Sequence, residues 1–405
     1  MRTLIIGGGI AGSTLAYALH RYGHDAVVAE ARPGHRDTGG AFLYLAPNGI
    51  NALAAIGLGD LPEAAGGFVA SGMDFHNARG RRIADLQGEG DLEEYGAHGR
   101  VLRRARLHAE LAERAQAAGA RYEFDARLVE LHRTADGVEA VFADGRSITA
   151  DVVIGADGIW STVRRLTWPA APKPSYTGIV DCGSWTEVDL PDTTRQQMYF
   201  GHRAFFGYTV KNNVAYWFTN VPRRDEPARG ELDDLDQAAW MGSIRRLHEK
   251  DPAPVRAILQ EARHSLGAWP LYDMPALTTW HTNRVCLIGD AAHAVSPSTG
   301  QGASLAIEDA AVLAHWMQQD TSPAAMFAEF QADRKDRAEK IVRFGRQIGA
   351  RKASSPIGSV FRDLTLSMFL RMGGKATEEQ YGYQYGYRVP DQPAPPAGNP
   401  GTSNA

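Results

Sequence analysis

Apolar and polar positions change period twice within the first thirty residues. Thr3 to Ile6 is a short apolar run suited to a buried strand, and Gly7 to Gly12 is a glycine-rich turn. Leu15, Leu19 and Tyr22 then fall at helical spacing, and Ala26 to Ala29 is a second apolar run closed by Glu30. Strand, turn, helix, strand is the βαβ unit of a parallel sheet. Residues 108–119 (HAELAERAQAAG) are strong helix formers ending on Gly119, which predicts a helix and its stop. From Arg121 to Ile154 the pattern turns to β-runs. They are broken at Ala135-Asp136-Gly137 and Ala143-Asp144-Gly145, sites expected to be hairpin turns.

Residues 175–220 carry the densest aromatic and β-branched patterning, and predict an antiparallel sheet in a second domain. Lys211-Asn212-Asn213 is its expected hairpin turn, because Asn tolerates positive φ. Asp236 to Arg263 reads as helical, Arg284 to Ile288 as a strand, and Ile307–Met317 and Ala324–Lys352 as long helices. In the last of these, bases alternate with Asp333, Asp336 and Glu339, which predicts a solvated face. From Lys375 onward the prolines at 390, 393, 395, 396 and 400 predict a flexible tail.

Composition narrows the classes. Lys+Arg at 43 against Asp+Glu at 47 gives a net charge of −4, which argues against a nucleic-acid partner. Cys182 and Cys286 make no disulfide framework, and no CxxC or HExxH spacing offers a metal site. No apolar run has the roughly 18 residues of a membrane span, and MRTLIIGGGIAG lacks the apolar run of a secretory signal. A cytoplasmic enzyme is expected.

The glycine turn carries the first chemistry. Gly7, Gly9 and Gly12 satisfy GxGxxG after a strand and before a helix. Gly7 serves the tight turn, Gly9 the close approach of a pyrophosphate, and Gly12 the helix–strand contact. The helix start at Ala11 offers N–H groups and positive dipole to phosphate. Glu30, 18 residues after Gly12, ends the second strand where a carboxylate meets ribose hydroxyls, with Ala31 and Arg32 following. This predicts a dinucleotide site and leaves NAD and FAD open.

Two later stretches bear on that choice: Asp151 to Arg164 (DVVIGADGIWSTVR) and Arg284 to Ala314 (RVCLIGDAAHAVSPSTGQGASLAIEDAAVLA). With the glycine turn, in this order and spacing, they resemble the single-component FAD-dependent aromatic hydroxylases typified by p-hydroxybenzoate hydroxylase. The resemblance runs from residue 1 to about residue 350. It implies an α/β fold, with a Rossmann-like FAD-binding domain on a parallel sheet, an antiparallel-sheet substrate domain and C-terminal helices. The expected division is FAD-binding over 1–72, 101–174 and 276–320, and substrate domain over 73–100 and 175–275. C-terminal helices are expected over 321–374 and the flexible tail over 375–405.

By the same resemblance, Asp290 after Gly289 would accept hydrogen bonds from the ribityl hydroxyls, and Pro297 would lie against the flavin ring. Gly300, Gln301, Gly302 and Ala303 would turn a helix start toward the pyrimidine carbonyl, stabilising reduced flavin. Asp157 and Gly158 resemble the segment supporting the pyrophosphate and the nicotinamide approach. Arg104 matches an arginine near the phosphates, with Arg103 and Arg106 leaving its register open. The implied reaction takes NADPH or NADH and O2, and hydroxylates or epoxidises an aromatic or polyketide-like molecule through a flavin hydroperoxide. Flavin supplies the chemistry, so no catalytic side chain is assigned. The alternative reading is a flavin-dependent reductase of isoprenoid double bonds. Arg32 and Arg36, flanking His35, are candidates for a 2′-phosphate. His293 reads as packing more than as a general base. A two-residue turn at Asn212-Asn213 pairs Tyr208 with Trp217 and puts Phe206 on the same face, expected as an aromatic substrate wall toward the flavin. A monomer or homodimer is expected.

Overall fold

β1 (Arg2–Ile6) has parallel neighbours on both sides and is buried from Thr3 to Ile6, which matches its apolar run. A computed structural model of the chain describes residues 1–34, 42–233, 235–264, 266–352 and 374–390. In the first sheet β1 lies between β2 (Asp25–Ala29) and β12 (Val152–Gly155), with β8 (Arg121–Glu123) and β18 (Val285–Leu287) at the edges. All four pairings are parallel. α1 (Ile10–Arg21) crosses from β1 to β2 and packs on α5 (Arg104–Ala117) and α10 (Gly302–Trp316). β9 (Leu128–Arg133), β10 (Val138–Phe142) and β11 (Ser147–Ala150) form the expected antiparallel meander.

The second large sheet has seven strands: β5 (Gly72–Asn77), β6 (Arg82–Gln87), β13 (Ser175–Glu187), β14 (Gln196–Phe200), β15 (Phe205–Lys211), β16 (Val214–Pro222) and β17 (Gly267–Asp273). Its order is β17-β13-β16-β15-β14-β5-β6, so residues 72–87 join strands more than a hundred positions later. α7 (Gln237–Leu247) and α8 (Ala253–Glu261) back this sheet. Pro252, the N-cap of α8, divides a stretch expected as one helical run. A small sheet of β3 (Phe42–Leu45), β4 (Phe68–Val69) and β7 (Arg100–Arg103) lies between the two large ones. α2 (Pro47–Ala55), α3 (Leu61–Ala64), α4 (Asp91–Tyr95), α6 (Thr162–Thr167) and α9 (Asp290–His293) are shorter elements of the loops. Among the described residues no helix is long and apolar enough to cross a membrane.

Two expectations fail at the C-terminal end. α11 (Pro323–Lys352) is the expected long helix, but Arg334 and Arg337 are 0% and 6% exposed, so that face is not solvated. The chain from Lys375 is not a flexible tail throughout. α12 (Gly374–Tyr385) is a helix, and Tyr381 and Tyr385 pack with Tyr44, Tyr95 and Val101. The tyrosines supply the apolar area that composition alone made look sparse. Residues 391–405, with four of the five prolines, lie outside the described residues.

Candidate active site

The glycine turn is built by close approach. Gly7 has φ +102°, and a Cβ there would stand 2.5 Å from the Ala156 carbonyl oxygen. A Cβ on Gly12 would lie 1.9 Å from the Gly7 oxygen, so α1 contacts the turn only because Gly12 has no side chain. At Gly9, the N-cap of α1, a Cβ would meet nothing within 4 Å. That open space lies where backbone N–H groups and the helix dipole converge, and it fits an incoming phosphate. Glu30 Oε2 accepts from the Gly8 N–H at 2.9 Å and Oε1 from the Arg32 N–H at 3.0 Å. These bonds lock the carboxylate at the end of β2. Arg36 and His35 lie outside the described residues, and Arg32 is exposed.

Asp290 opens α9 directly after Gly289, the N-cap of that helix. The residue is exposed. Desolvation raises its pKa, and the Arg104 charge pulls the other way. Arg104, the first residue of α5, is therefore brought to Asp290 across 186 residues, while Arg103 turns to the second sheet and sits 5.8 Å from the Trp185 ring. The Gly289 turn packs close to Ala11 and to Ala306 of α10, so the first and last motifs share one cleft. Pro297 is exposed at the head of a 3₁₀ turn, and Gly300, with φ +64°, stands against Tyr44. Gly302 and Ala303 then open α10, behind the Gln301 N-cap.

Asp157 is occupied otherwise. It accepts from Ser161 Oγ at 2.5 Å and from the N–H groups of Thr162 and Val163, so it caps α6. What remains turned outward is the Gly158 backbone, with φ +78° and open space at its Cβ position.

The hairpin forms as expected: Asn212 and Asn213 have φ +52° and +60°, and Tyr208 pairs with Trp217. The face is the opposite one, which corrects the expected wall. Phe206, Tyr208 and Trp217 are buried with Ile244, Val255 and Ile258 under α7 and α8, and burial pushes the Tyr208 phenol well up. Tyr216 and Phe218 look toward the first domain, with ring centroids 6.4 and 5.9 Å from Phe42, and Phe68 is 5.6 Å from Tyr216. The amphipathic helices decide this, because each needs an apolar floor and the more voluminous face supplies it.

Sequence reasoning missed a buried charge cluster behind the flavin-type motifs. Asp309 lies 2.5 Å from His293 and 2.8 Å from Arg334, and Glu308 pairs with Arg334 at 2.6 Å and Arg337 at 2.8 Å. Burial raises the Asp309 carboxyl, but His293 and Arg334 outweigh it and hold it down at about 2. His293 is thus an ion-pair partner of Asp309, a role beyond the packing expected of it. The available signal was Glu308-Asp309 inside the otherwise apolar SLAIEDAAVLA, since two adjacent buried acids require cationic partners. His248 with Asp251 and Thr219 has the order of a catalytic triad, yet all three are buried and tie α7 to β16. Cys286 is buried, and its thiol is pushed far up by desolvation.

An opening at Gly9 that fits a phosphate and an exposed carboxylate at Asp290 lie on one cleft, and the chain is a flavoprotein monooxygenase dependent on FAD. The chain belongs to the FAD binding domain family, which matches residues 1–345. It is 29% identical over 356 residues to the FAD-dependent urate hydroxylase of Klebsiella pneumoniae, covering 84% of this chain and 88% of that one. It is 31% identical over 364 residues to the aurachin C monooxygenase/isomerase of Stigmatella aurantiaca, covering 86% and 89%. The crystal structure of Klebsiella pneumoniae HpxO complexed with FAD and uric acid superposes with a TM-score of 0.83 at 25% identity, over 95% of this chain and 97% of that one. None of these relatives is named a reductase, and the double-bond reductase reading has no support.

Proposed function

We propose that this protein hydroxylates an aromatic small molecule held between β3–β7 and the seven-stranded sheet, with Arg103 meeting an anionic substituent. The balance is aromatic C–H plus O2, NAD(P)H and H+ giving the phenol, NAD(P)+ and water. The observation that carries this reading is the pair of facing surfaces. Phe42 on one faces Tyr216 and Phe218 on the other, with Trp185 beside Tyr216 across the strand pair and under the Arg103 guanidinium. Large rings there exclude water, which protects the activated oxygen. Arg103 is half-buried, and its guanidinium lies over the Trp185 ring. A guanidinium placed so can meet a carboxylate or enolate with two hydrogen bonds.

FAD is held, on this reading, by Gly7, Gly9, Ala11, Gly12, Glu30, Ala31, Arg32 and Arg104. Gly289, Asp290, Pro297, Gly300, Gly302 and Ala303 complete the site, and Asp157 acts by shaping the Gly158 turn. NADPH or NADH supplies the electrons. The protein works in the cytoplasm, as a monomer or homodimer. The test is a panel of aromatic acids, phenols, indoles and heteroaromatics, scored for stimulated NAD(P)H oxidation and a product heavier by one oxygen. For an anionic substrate, Arg103→Gln should raise KM about tenfold, the loss of one charge-assisted bond, with FAD retained. An unchanged KM for anionic substrates in the variant would remove Arg103 from the site.

A further inference from the structure

Gly289 sits at φ +57° and ψ −141°, a backbone state that glycine tolerates but that local sequence does not enforce. Its N–H is held from outside the motif: Asp309 Oδ2 accepts it at 2.8 Å. The same carboxylate takes His293 from the far end of α9, so both ends of the short segment bearing Asp290 hang on one buried group. Glu308 does the equivalent for the other flavin-facing turn. Its Oε1 accepts from Asn48 Nδ2 at 2.6 Å, and the same amide reaches Gln301 Oε1, the N-cap of α10, at 2.9 Å.

Two acids buried in an apolar helix are poor stability devices, because desolvation offsets most of their attraction. Here their cations are in turn held by the end of the described chain. Arg337 donates to the carbonyls of Tyr383 and Gln384 at 2.7 and 2.8 Å. Tyr387 lies over Arg334 and Arg337, at 4.9 and 4.2 Å from ring to guanidinium. An unbroken set of hydrogen bonds and ion pairs therefore runs from residues 383–387 to Gly289 and to Gln301.

We propose that Asp309 and Glu308 are positioning residues for the cofactor: Asp309 sets the turn that aims Asp290, Glu308 sets the start of α10, and residues 383–387 clamp the arginines that hold both. The proposal rests on Asp290 as a flavin contact. It is tested by a double-mutant cycle on FAD dissociation constants, titrating apoprotein with FAD and following quenching of flavin fluorescence. Asp290→Ala and Asp309→Asn should each weaken binding about tenfold or more, and the double variant by no more than about threefold beyond the worse single. Effects that multiply, or an unchanged constant for Asp309→Asn, overturn the relay while leaving Asp290 in place. An unchanged constant for Asp290→Ala overturns the Asp290 assignment and the relay with it. Should Asp309→Asn fail to fold, Asn48→Ala reads the α10 arm alone. Loosening that helix start should move the flavin midpoint potential to a more negative value, and an unmoved potential overturns the proposal.

Discussion

Gly9 and Gly12 are three residues apart in one turn, and alanine should injure the protein in opposite ways at the two. At Gly12 the new methyl would stand 1.9 Å from the Gly7 oxygen, 3.1 Å from its carbonyl carbon and 3.2 Å from Ile5 Cγ2. Backbone on one side and a core strand on the other must separate by more than an ångström, an overpacking cost of about 1–3 kcal/mol. Better helix propensity returns at most about 1 kcal/mol. At Gly9 the backbone is extended, at φ −72° and ψ −167°, and the methyl meets no protein atom. The apoprotein should lose at most about 1 kcal/mol, the difference between Gly and Ala as N-caps. The cofactor phosphates would be pushed off the helix start instead. Losing one charge-assisted bond of about 1.5–3 kcal/mol weakens FAD about ten- to a hundredfold. Thermal melting of the two apoproteins and FAD titration of each separate the cases. Gly9→Ala with wild-type FAD affinity, or Gly12→Ala melting like wild type, would refute the reading of this turn.

Three other outcomes are expected. Asp91, 5% exposed beside Tyr44 and Tyr385, has its carboxyl raised from 3.8 to about 7, first by burial and then by Glu94 and Glu89. Between those values the folded state keeps a proton that the unfolded chain has lost, so stability falls as pH rises from 4 to 7. Asp91→Asn should therefore melt with wild type at pH 4 and higher at pH 8, by about 2 kcal/mol after allowance for solvent screening; a gap independent of pH counts against this. Trp217→Ala should destabilise by about 3–5 kcal/mol, whereas Phe218→Ala should melt nearly normally and form less product per NADPH oxidised. The reverse pattern would restore the wall to the Trp217 face. Cys286 should resist thiol reagents until the protein unfolds, and rapid labelling of the native state would contradict its burial.

The βαβ start, the meander and the three glycine-bearing motifs were legible because each is a local signal, a period or a turn chemistry. The hairpin register was legible for the same reason, since two Asn residues specify the turn. Which face of that hairpin meets the cleft was not, because alternation marks two faces and names neither. The answer lies in α7 and α8, thirty residues downstream, which claim Phe206 and Trp217. Arg334 and Arg337 read as solvated because acids flank them, yet their partners Glu308 and Asp309 are on another helix. Residues 374–387 illustrate the same limit. Polar and glycine-rich in composition, they hold their place through tyrosine rings and backbone carbonyls offered to buried arginines.

The measurement that bears most directly on the whole account is turnover of the best aromatic substrate under 18O2 in ordinary water, with the product analysed by mass. The account predicts a ring hydroxyl carrying one 18O for each substrate converted, with an equal amount of NAD(P)H consumed when the cleft is well filled. A product whose new oxygen comes from water, or a reduced product with no new oxygen, would contradict it.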